Sequence, residues 1–378
     1  MMKIKIISFV LLISIILAFS VTAVDIKEPG FDLNVKSAVL MEAKTGMILY
    51  AKNPNEALHP ASVTKIMTLL LVFEAIENGS LSYETELVVS ENASNMGGSQ
   101  VFLKPGEKMK AEELIKCVII ASANDAAVTL AEHVAGTVED FVIMMNDRAK
   151  SLNMCNTNFE NPTGLDDTAK NHLTSACDIA LMSRELLKYE KVREYATIWM
   201  DTIRNGEFGL TNTNRLVRYY KGITGLKTGY TSKSGYCISA TAKRDNMELI
   251  AVVMGAESSN ERNACVTKML DFGFVNYQSY NFNEEIIDNI KIENGMKNQI
   301  KAKYDAVDLL ENRRKEEVKK EIIINENLKA PINKGDVIGK VEFIINDKIV
   351  KTENIYSLET VNEISYLAFF WKVMKNFL

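Results

Sequence analysis

The chain has 378 residues, 47% hydrophobic and 25% charged, with a formal net charge of −5 and a pI near 5.6. That balance excludes a disordered chain, and the mild acidity argues against a nucleic-acid partner. The length suffices for one large domain with a substantial core, or for two domains.

The first stretch is read as a targeting segment. Lys3 and Lys5 form a short basic region, Ile6 to Phe19 is apolar, and Val21-Thr22-Ala23 offers small residues for cleavage. Residues 1–23 are expected to be a signal peptide, with a permanent single-span anchor as the alternative. Either way the rest of the chain is expected outside the cytoplasm. Five cysteines (Cys117, Cys155, Cys177, Cys237, Cys265) form no CxxC pair and are expected to be core thiols. The histidines His59, His133 and His172 are scattered outside any HExxH pattern, so no metal and no cofactor are expected.

Ser37 to Glu42 and Met47 to Ala51 read as two strands joined by a hairpin turn at Ala43-Lys44-Thr45-Gly46. Pro60 then suits the first turn of a helix, and Asn78-Gly79 supplies its stop. Nearly every position between is apolar, which marks a core helix. Leu87 to Ser90 reads as a short strand, and Met96-Gly97-Gly98-Ser99 as a loop. Lys110 to Ala121, Asp125 to Val134 and Val138 to Leu152 read as helices, with Ser122-Ala123-Asn124 interrupting the first two. Asn161-Pro162-Thr163-Gly164 is turn chemistry, and Ser175 caps a helix running to about Leu187.

After Glu207 the chain turns to short strands. Cys237 to Ala242 and Glu248 to Met254 form a hairpin, followed by a helix from Glu261 to Phe272. Strands at both ends with helices between predict one α/β (α+β) domain over residues 24–281, an antiparallel sheet with a helical subdomain. Residues 282–357, with Ile- and Val-rich segments at Ile286–Ile292, Glu321–Asn325, Val337–Ile345 and Lys348–Ile355, predict a small all-β domain. Glu311 to Glu321 reads as a solvated run of mixed charges. In residues 358–378, Ile364, Leu367, Ala368, Trp371, Met374 and Leu378 share one helical face. That core is too short to span a bilayer but suits an amphipathic helix lying on a membrane surface. A helix docked on its own protein is the alternative.

The chemistry starts at Ser62 and Lys65. They lie one turn apart at the start of the core helix, so both side chains share a face. Free N–H groups at a helix N-terminus suit a developing oxyanion, and burial beside another cation can lower a lysine pKa until it serves as a base. A strongly depressed Lys65 pKa is therefore expected. Such a pair needs a second hydroxyl or amide and a cationic wall. The set Ser-x-x-Lys, Ser-x-Asn and Lys-Thr-Gly is used by penicillin-interacting acyl-transferring enzymes. Ser-x-Asn recurs, for instance at Ser90/Asn92, Ser151/Asn153 and Ser258/Asn260, but only Ser122/Asn124 interrupts two apolar helices. Lys-Thr-Gly stands at Lys44-Thr45-Gly46, explained as a hairpin turn, and at Lys227-Thr228-Gly229, in a strand-forming stretch and in the required chain order.

The chain resembles the low-molecular-mass penicillin-binding proteins of the serine-type D-alanyl-D-alanine carboxypeptidase family. The matching stretches are Leu58 to Thr68, Ser122 to Ala127, Asn161 to Leu165, Asn212-Thr213-Asn214, Gly225 to Thr231, Gly255 to Arg262, and Leu270 to Phe274. The resemblance runs from about residue 31 to the C-terminus, β domain and terminal helix included. It implies a penicillin-binding/serine β-lactamase-like fold and removal of the terminal D-alanine from peptidoglycan stem pentapeptides. It implies Ser62 as nucleophile, Lys65 as base, and Ser122 as proton relay to the leaving amine. It further implies that Asn124 holds the substrate amide and that Lys227 and Thr228 bind the terminal carboxylate. Gly229 and Tyr230 complete that strand, with the N–H groups of Ser62 and Tyr230 as oxyanion hole and Arg262 near the carboxylate. β-Lactams would be covalent inhibitors, and the terminal helix would hold the protein peripherally at the outer face of the cytoplasmic membrane. The departures are Ala123, where many members have glycine, and Tyr230, where some carry histidine. A serine β-lactamase and a catalytically silent membrane-surface binding protein are the alternatives.

Overall fold

The computed structural model describes residues 28–165, 169–312, 317–367 and 370. The described residues form two compact units, one built from residues 28–281 together with 308–312, the other from 282–307 and the described residues from 317 onward.

The larger unit is organised on a five-stranded sheet of β1 (Ser37–Glu42), β2 (Ile48–Lys52), β3 (Ile223–Thr231), β4 (Gly235–Arg244) and β5 (Met247–Ala256), in the order β2-β1-β5-β4-β3. Every pairing is antiparallel. The two ends of the segment meet where Val39 lies opposite Val252. β1 is buried along its whole length because helices cover both sheet faces. Val39, Met41, Ile250 and Val252 join the cluster built on helix α1 (Lys65–Glu77). Leu40 and Leu249 point the other way, onto Gly273 of the closing helix (Ser259–Asn276), where any Cβ would meet them. Each large aliphatic side chain so buried contributes roughly 1.5–3 kcal/mol.

α1 is apolar all round and buried at Ile66, Met67, Leu69 to Phe73 and Ala75, as a core helix requires. Helices α2 (Ala111–Ile120), α3 (Asn124–Ala135), α4 (Val138–Ser151) and α5 (Ala176–Leu186) join it in the helical part, with a shorter helix at Glu190–Ala196. Gly136, at φ +86°, ends α3, and the Ser175 hydroxyl caps α5 by accepting from Asp178 N–H. The turn at Lys44-Thr45-Gly46 is a hairpin turn: Glu42 accepts from the Thr45 N–H and hydroxyl, and Gly46 adopts φ +74°.

The structure departs from the sequence reading at several elements. The core helix does not start at Pro60: Ala61–Thr64 is a 3-10 turn and α1 begins at Lys65, because Ala61 adopts φ +49°. Lys108–Lys110 is a short strand paired with Glu86–Val88, so the helix expected from Lys110 begins one residue later, at Ala111. A hairpin of Met200–Ile203 and Phe208–Thr211 was not expected. Cys155 is exposed and Cys177 half-buried, so only Cys117, Cys237 and Cys265 are core thiols; all five are free.

The smaller unit is a five-stranded antiparallel sheet of β6 (Glu285–Lys291), β7 (Gln299–Tyr304), β8 (Lys319–Ile324), β9 (Val337–Ile345) and β10 (Lys348–Ser357), ordered β6-β7-β10-β9-β8. Asn346 and Asp347, both at positive φ, form the tight turn between β9 and β10. Ile300, Tyr304, Val341, Phe343 and Ile355 fill its core. Lys320 on β8 bonds Glu285 on β6 and the Tyr304 hydroxyl, tying the sheet edges together. The run expected to be solvated is partly strand, since β8 starts at Lys319. Strand Val307–Asn312 pairs instead with Tyr277–Phe282. Tyr366, Leu367 and Phe370 are exposed and helical. Residues 358–365, expected to open the terminal helix, are irregular instead, because Val361 is buried and bridges Ile332 while Glu363 bridges Gly295. Residues 368, 369 and 371–378 of that expected helix, and all of residues 1–23, lie outside the described residues. Among the described residues no helix is long and apolar enough to cross a membrane.

Candidate active site

Ser62 stands in the 3-10 turn and Lys65 on the first residue of α1. In a 3-10 turn, side chains at i and i+3 eclipse. Lys65 Nζ accordingly lies 2.9 Å from Ser62 Oγ. Its other partners are Asn124 Oδ1 at 2.5 Å and the Thr163 carbonyl at 2.8 Å. Both of these oxygens only accept, and the Ser62 hydroxyl can donate. A neutral amine, with two N–H groups and one lone pair, satisfies all three. Lys65 is fully buried, and burial, then the Lys227 charge, push its pKa well below the ordinary lysine value. The expected depression of Lys65 is therefore present.

The carbonyl of Thr163 comes from the Asn161-Pro162-Thr163-Gly164 turn. Asn161 Oδ1 accepts from Thr163 N–H, Gly164 N–H and the Thr163 hydroxyl, and Thr68 Oγ1 donates to Pro162 O at 2.6 Å. Gly164 sits so tightly on the 3-10 turn that a Cβ there would fall 1.8 Å from the Ala61 carbonyl oxygen. The turn was legible in the sequence; its role in holding the lysine was not, because a backbone carbonyl leaves no mark on residue identity.

Ser122, at φ +62° and almost fully buried, lies between α2 and α3. Its Oγ accepts from Lys227 Nζ at 2.8 Å. Lys227 sits on β3 and also donates to the Thr228 carbonyl. Burial, then the Arg262 charge, push the Lys227 pKa down to about 7. Arg262, on the closing helix, is itself 5% exposed and lowered to about 10 by burial, with Asn263 Oδ1 as its side-chain acceptor. The Thr228 hydroxyl donates to Thr213 Oγ1 at 2.8 Å. Thr213 N–H in turn donates to the Ile120 carbonyl, so segment 212–214 bridges the Ser122 loop and β3.

β3 is an edge strand of the sheet, so one row of its backbone groups faces away from β4. At Gly229 it passes so close to the serine turn that a Cβ would stand 2.8 Å from Pro60 O and 3.0 Å from Ser62 N. Tyr230 is 57% exposed and its ring packs on Tyr236, with centroids 4.4 Å apart. Asn124 is buried and donates from Nδ2 to the Gly97 carbonyl at 2.6 Å. Next to it, the buried Asp125 carboxylate accepts from the Val101 and Leu103 N–H groups.

The structure thus brings Ser62, Lys65, Ser122, Asn124, Lys227, Thr228 and Gly229 into one site. Tyr230 is at its rim, and Arg262 lies near enough to act on Lys227. Sequence reasoning missed Thr163, Asp125, Gly97 and Thr213. Thr163, Asp125 and Thr213 stand inside the matching stretches Asn161 to Leu165, Ser122 to Ala127 and Asn212-Thr213-Asn214, where nothing assigned them a role, and Gly97 stands in none. Among the described residues there is no cluster of metal-ligating side chains.

The sheet with its helical part, and a serine paired with a buried lysine facing a Lys-Thr-Gly edge strand, define the serine acyl-transferring domain of the penicillin-interacting proteins. The D-alanyl-D-alanine carboxypeptidase family matches residues 22–258, and the penicillin-binding protein 5 C-terminal domain matches residues 274–363. The chain belongs to the D-alanyl-D-alanine carboxypeptidase family. It is 42% identical over 347 residues to the D-alanyl-D-alanine carboxypeptidase DacF of Bacillus subtilis (strain 168), covering 90% of this chain and 89% of that one. The crystal structure of penicillin binding protein 5 from Haemophilus influenzae superposes with a TM-score of 0.77 at 32% identity, covering 89% of this chain and 100% of that one. Penicillin-binding protein D2 from Listeria monocytogenes, solved in its ampicillin-bound form, gives a TM-score of 0.60 at 30% identity, covering 65% of this chain and 100% of that one.

Proposed function

We propose that this chain removes the terminal D-alanine from peptidoglycan stem peptides ending in D-Ala-D-Ala, through an acyl-enzyme on Ser62, and that β-lactams acylate the same oxygen. The observation that carries the residue assignment is the Lys65 amine, buried, hydrogen-bonded to no carboxylate among the described residues, and 2.9 Å from Ser62 Oγ. Its lone pair takes the Ser62 proton as Oγ attacks the penultimate carbonyl carbon. The N–H groups of Ser62 and Tyr230 receive the oxyanion, an interaction typically worth about 3–4 kcal/mol per donor. Collapse breaks the peptide bond, and Ser122 passes a proton to the departing D-alanine nitrogen. Asn124 holds the substrate amide. Lys227, Thr228 and Arg262 hold the terminal carboxylate, which explains two cations buried with no acidic partner among the described residues. Water then hydrolyses the ester.

The terminal apolar face, with Tyr366, Leu367 and Phe370 exposed, supports peripheral attachment at the outer face of the cytoplasmic membrane after export by residues 1–23. The test of the activity is D-alanine release from a pentapeptide ending in D-Ala-D-Ala. Wild-type protein should release it and Ser62→Ala should not. Release that survives Ser62→Ala would sink the assignment.

A further inference from the structure

The amide of Asn124 has to face one way. Its Oδ1 accepts from Lys65 Nζ at 2.5 Å while Nδ2 donates to Gly97 O at 2.6 Å. Turned over, it would set two oxygens against each other at Gly97 and press an NH2 group on the lysine. The orientation therefore depends on the position of the Gly97 carbonyl. The backbone N–H of Asn124 adds a bond to Ser99 O at 2.7 Å. Residues 97–103 form neither helix nor strand, so something else must hold them.

Two clamps do. From inside, Asp125 accepts from Val101 N–H at 3.1 Å and Leu103 N–H at 3.0 Å. From outside, Arg204 Nη1 donates to Val101 O at 2.9 Å and Nη2 to Phe102 O at 3.2 Å. Glu107 fixes the guanidinium by accepting from Nε at 2.8 Å. Phe102, pinched between the clamps, adopts φ +55° with its side chain 66% exposed, and Arg204 and Asn205 also sit at positive φ. Strained backbone of this kind persists only where the surroundings over-determine it, and it gathers at functional sites.

We propose that Arg204 is a positioning residue for the reaction. By clamping residues 97–103 it fixes the Gly97 carbonyl, hence the Asn124 amide, hence the hydrogen-bonding of Lys65 beside Ser62. This rests on the roles given above to Asn124 and Lys65. A structural staple would protect the loop without touching the rate of chemistry, so the two are separable.

The test uses the full chain with Arg204→Gln, Arg204→Lys, Glu107→Gln and the Arg204→Gln/Glu107→Gln pair. It reads kcat and KM for D-alanine release, the rate of acylation by penicillin, and hydrogen exchange at Val101 and Leu103. Arg204→Gln should lower kcat and the acylation rate together, by about ten- to a hundredfold, with KM nearly unchanged and faster exchange confined to the loop. Arg204→Lys should recover part of the rate. Glu107→Gln, which leaves the bonds from Arg204 to the loop carbonyls in place, should lower kcat by about two- to fivefold. The paired variant should be no slower than Arg204→Gln alone. Faster loop exchange with unchanged kcat would overturn the proposal, and so would a rise in KM alone. Should Arg204→Gln fail to fold, Glu107→Gln decides on the same criteria. Wild-type protein that neither releases D-alanine nor takes up penicillin would sink the proposed function itself, whereas an active wild type with unaffected variants sinks this inference alone.

Discussion

Lys65 and Lys227 are two amines buried in one site, and the proposed chemistry needs them in opposite states. Lys65 must be neutral to take a proton, and Lys227 must be charged to hold a carboxylate. Mutual repulsion opposes two protons; the Lys227 charge lowers Lys65, whereas the charge that lowers Lys227 is that of Arg262, so the proton is assigned to Lys227. Burial first and Arg262 second bring Lys227 to about 7. A bound carboxylate would raise it again. The alkaline limb of kcat/KM should therefore lie near pH 7, and that of kcat higher. Stability carries the same signature. Between about 7 in the folded state and 10.5 in the unfolded state, the unfolded chain binds the extra proton, so this group makes stability rise with pH across that window. The slope it adds is at most about 1.4 kcal/mol per pH unit. Rate profiles, and unfolding at pH 7 to 9, check both; Lys227→Gln should remove the limb and reduce the slope, the depressed Lys65 keeping its own share. A flat kcat/KM from pH 6 to 9 in the wild type would contradict the assignment. Ser62, Lys65, Ser122 and Lys227 were legible because their spacing repeats a known chemical set. Thr163 and Gly97 were not, since they act through backbone carbonyls.

The elements meet most closely where β3 passes the serine turn. Gly229 has no room for a side chain there, with Pro60 O and Ser62 N at 2.8 and 3.0 Å from any Cβ. Gly229→Ala must push the strand off the turn, moving Lys227 and Thr228 relative to Ser62 while the central pairings of β1, β4 and β5 stay intact. Acylation by penicillin should fall by about a hundredfold, with a much smaller change in melting temperature. Equal acylation rates would show that the strand has room to give. The helices were readable from apolar periodicity, and α1 from its apolar completeness. Its true beginning was not readable, because Ala61 at φ +49° runs against residue preference and is imposed by packing. The hairpin that presents Arg204 was missed for a similar reason: Met200–Ile203 is a four-residue strand with little alternation to read.

The whole molecule carries its chemistry in the larger unit, whose described residues include every member of the site. The β-rich character of residues 282–357 was visible in their Ile and Val content. What composition did not reveal is that Val307–Asn312 leaves that module to pair with Tyr277–Phe282. The pairing is long-range and rests on partner choice rather than on strand propensity. The central claim is that one oxygen, Ser62 Oγ, receives the acyl group. Mass spectrometry of the intact protein after incubation with penicillin, followed by peptide mapping, tests it most directly. The expected result is a single adduct of one penicillin mass on the peptide containing Ser62, absent from Ser62→Ala. An adduct on any other residue, or its persistence in Ser62→Ala, would contradict the account.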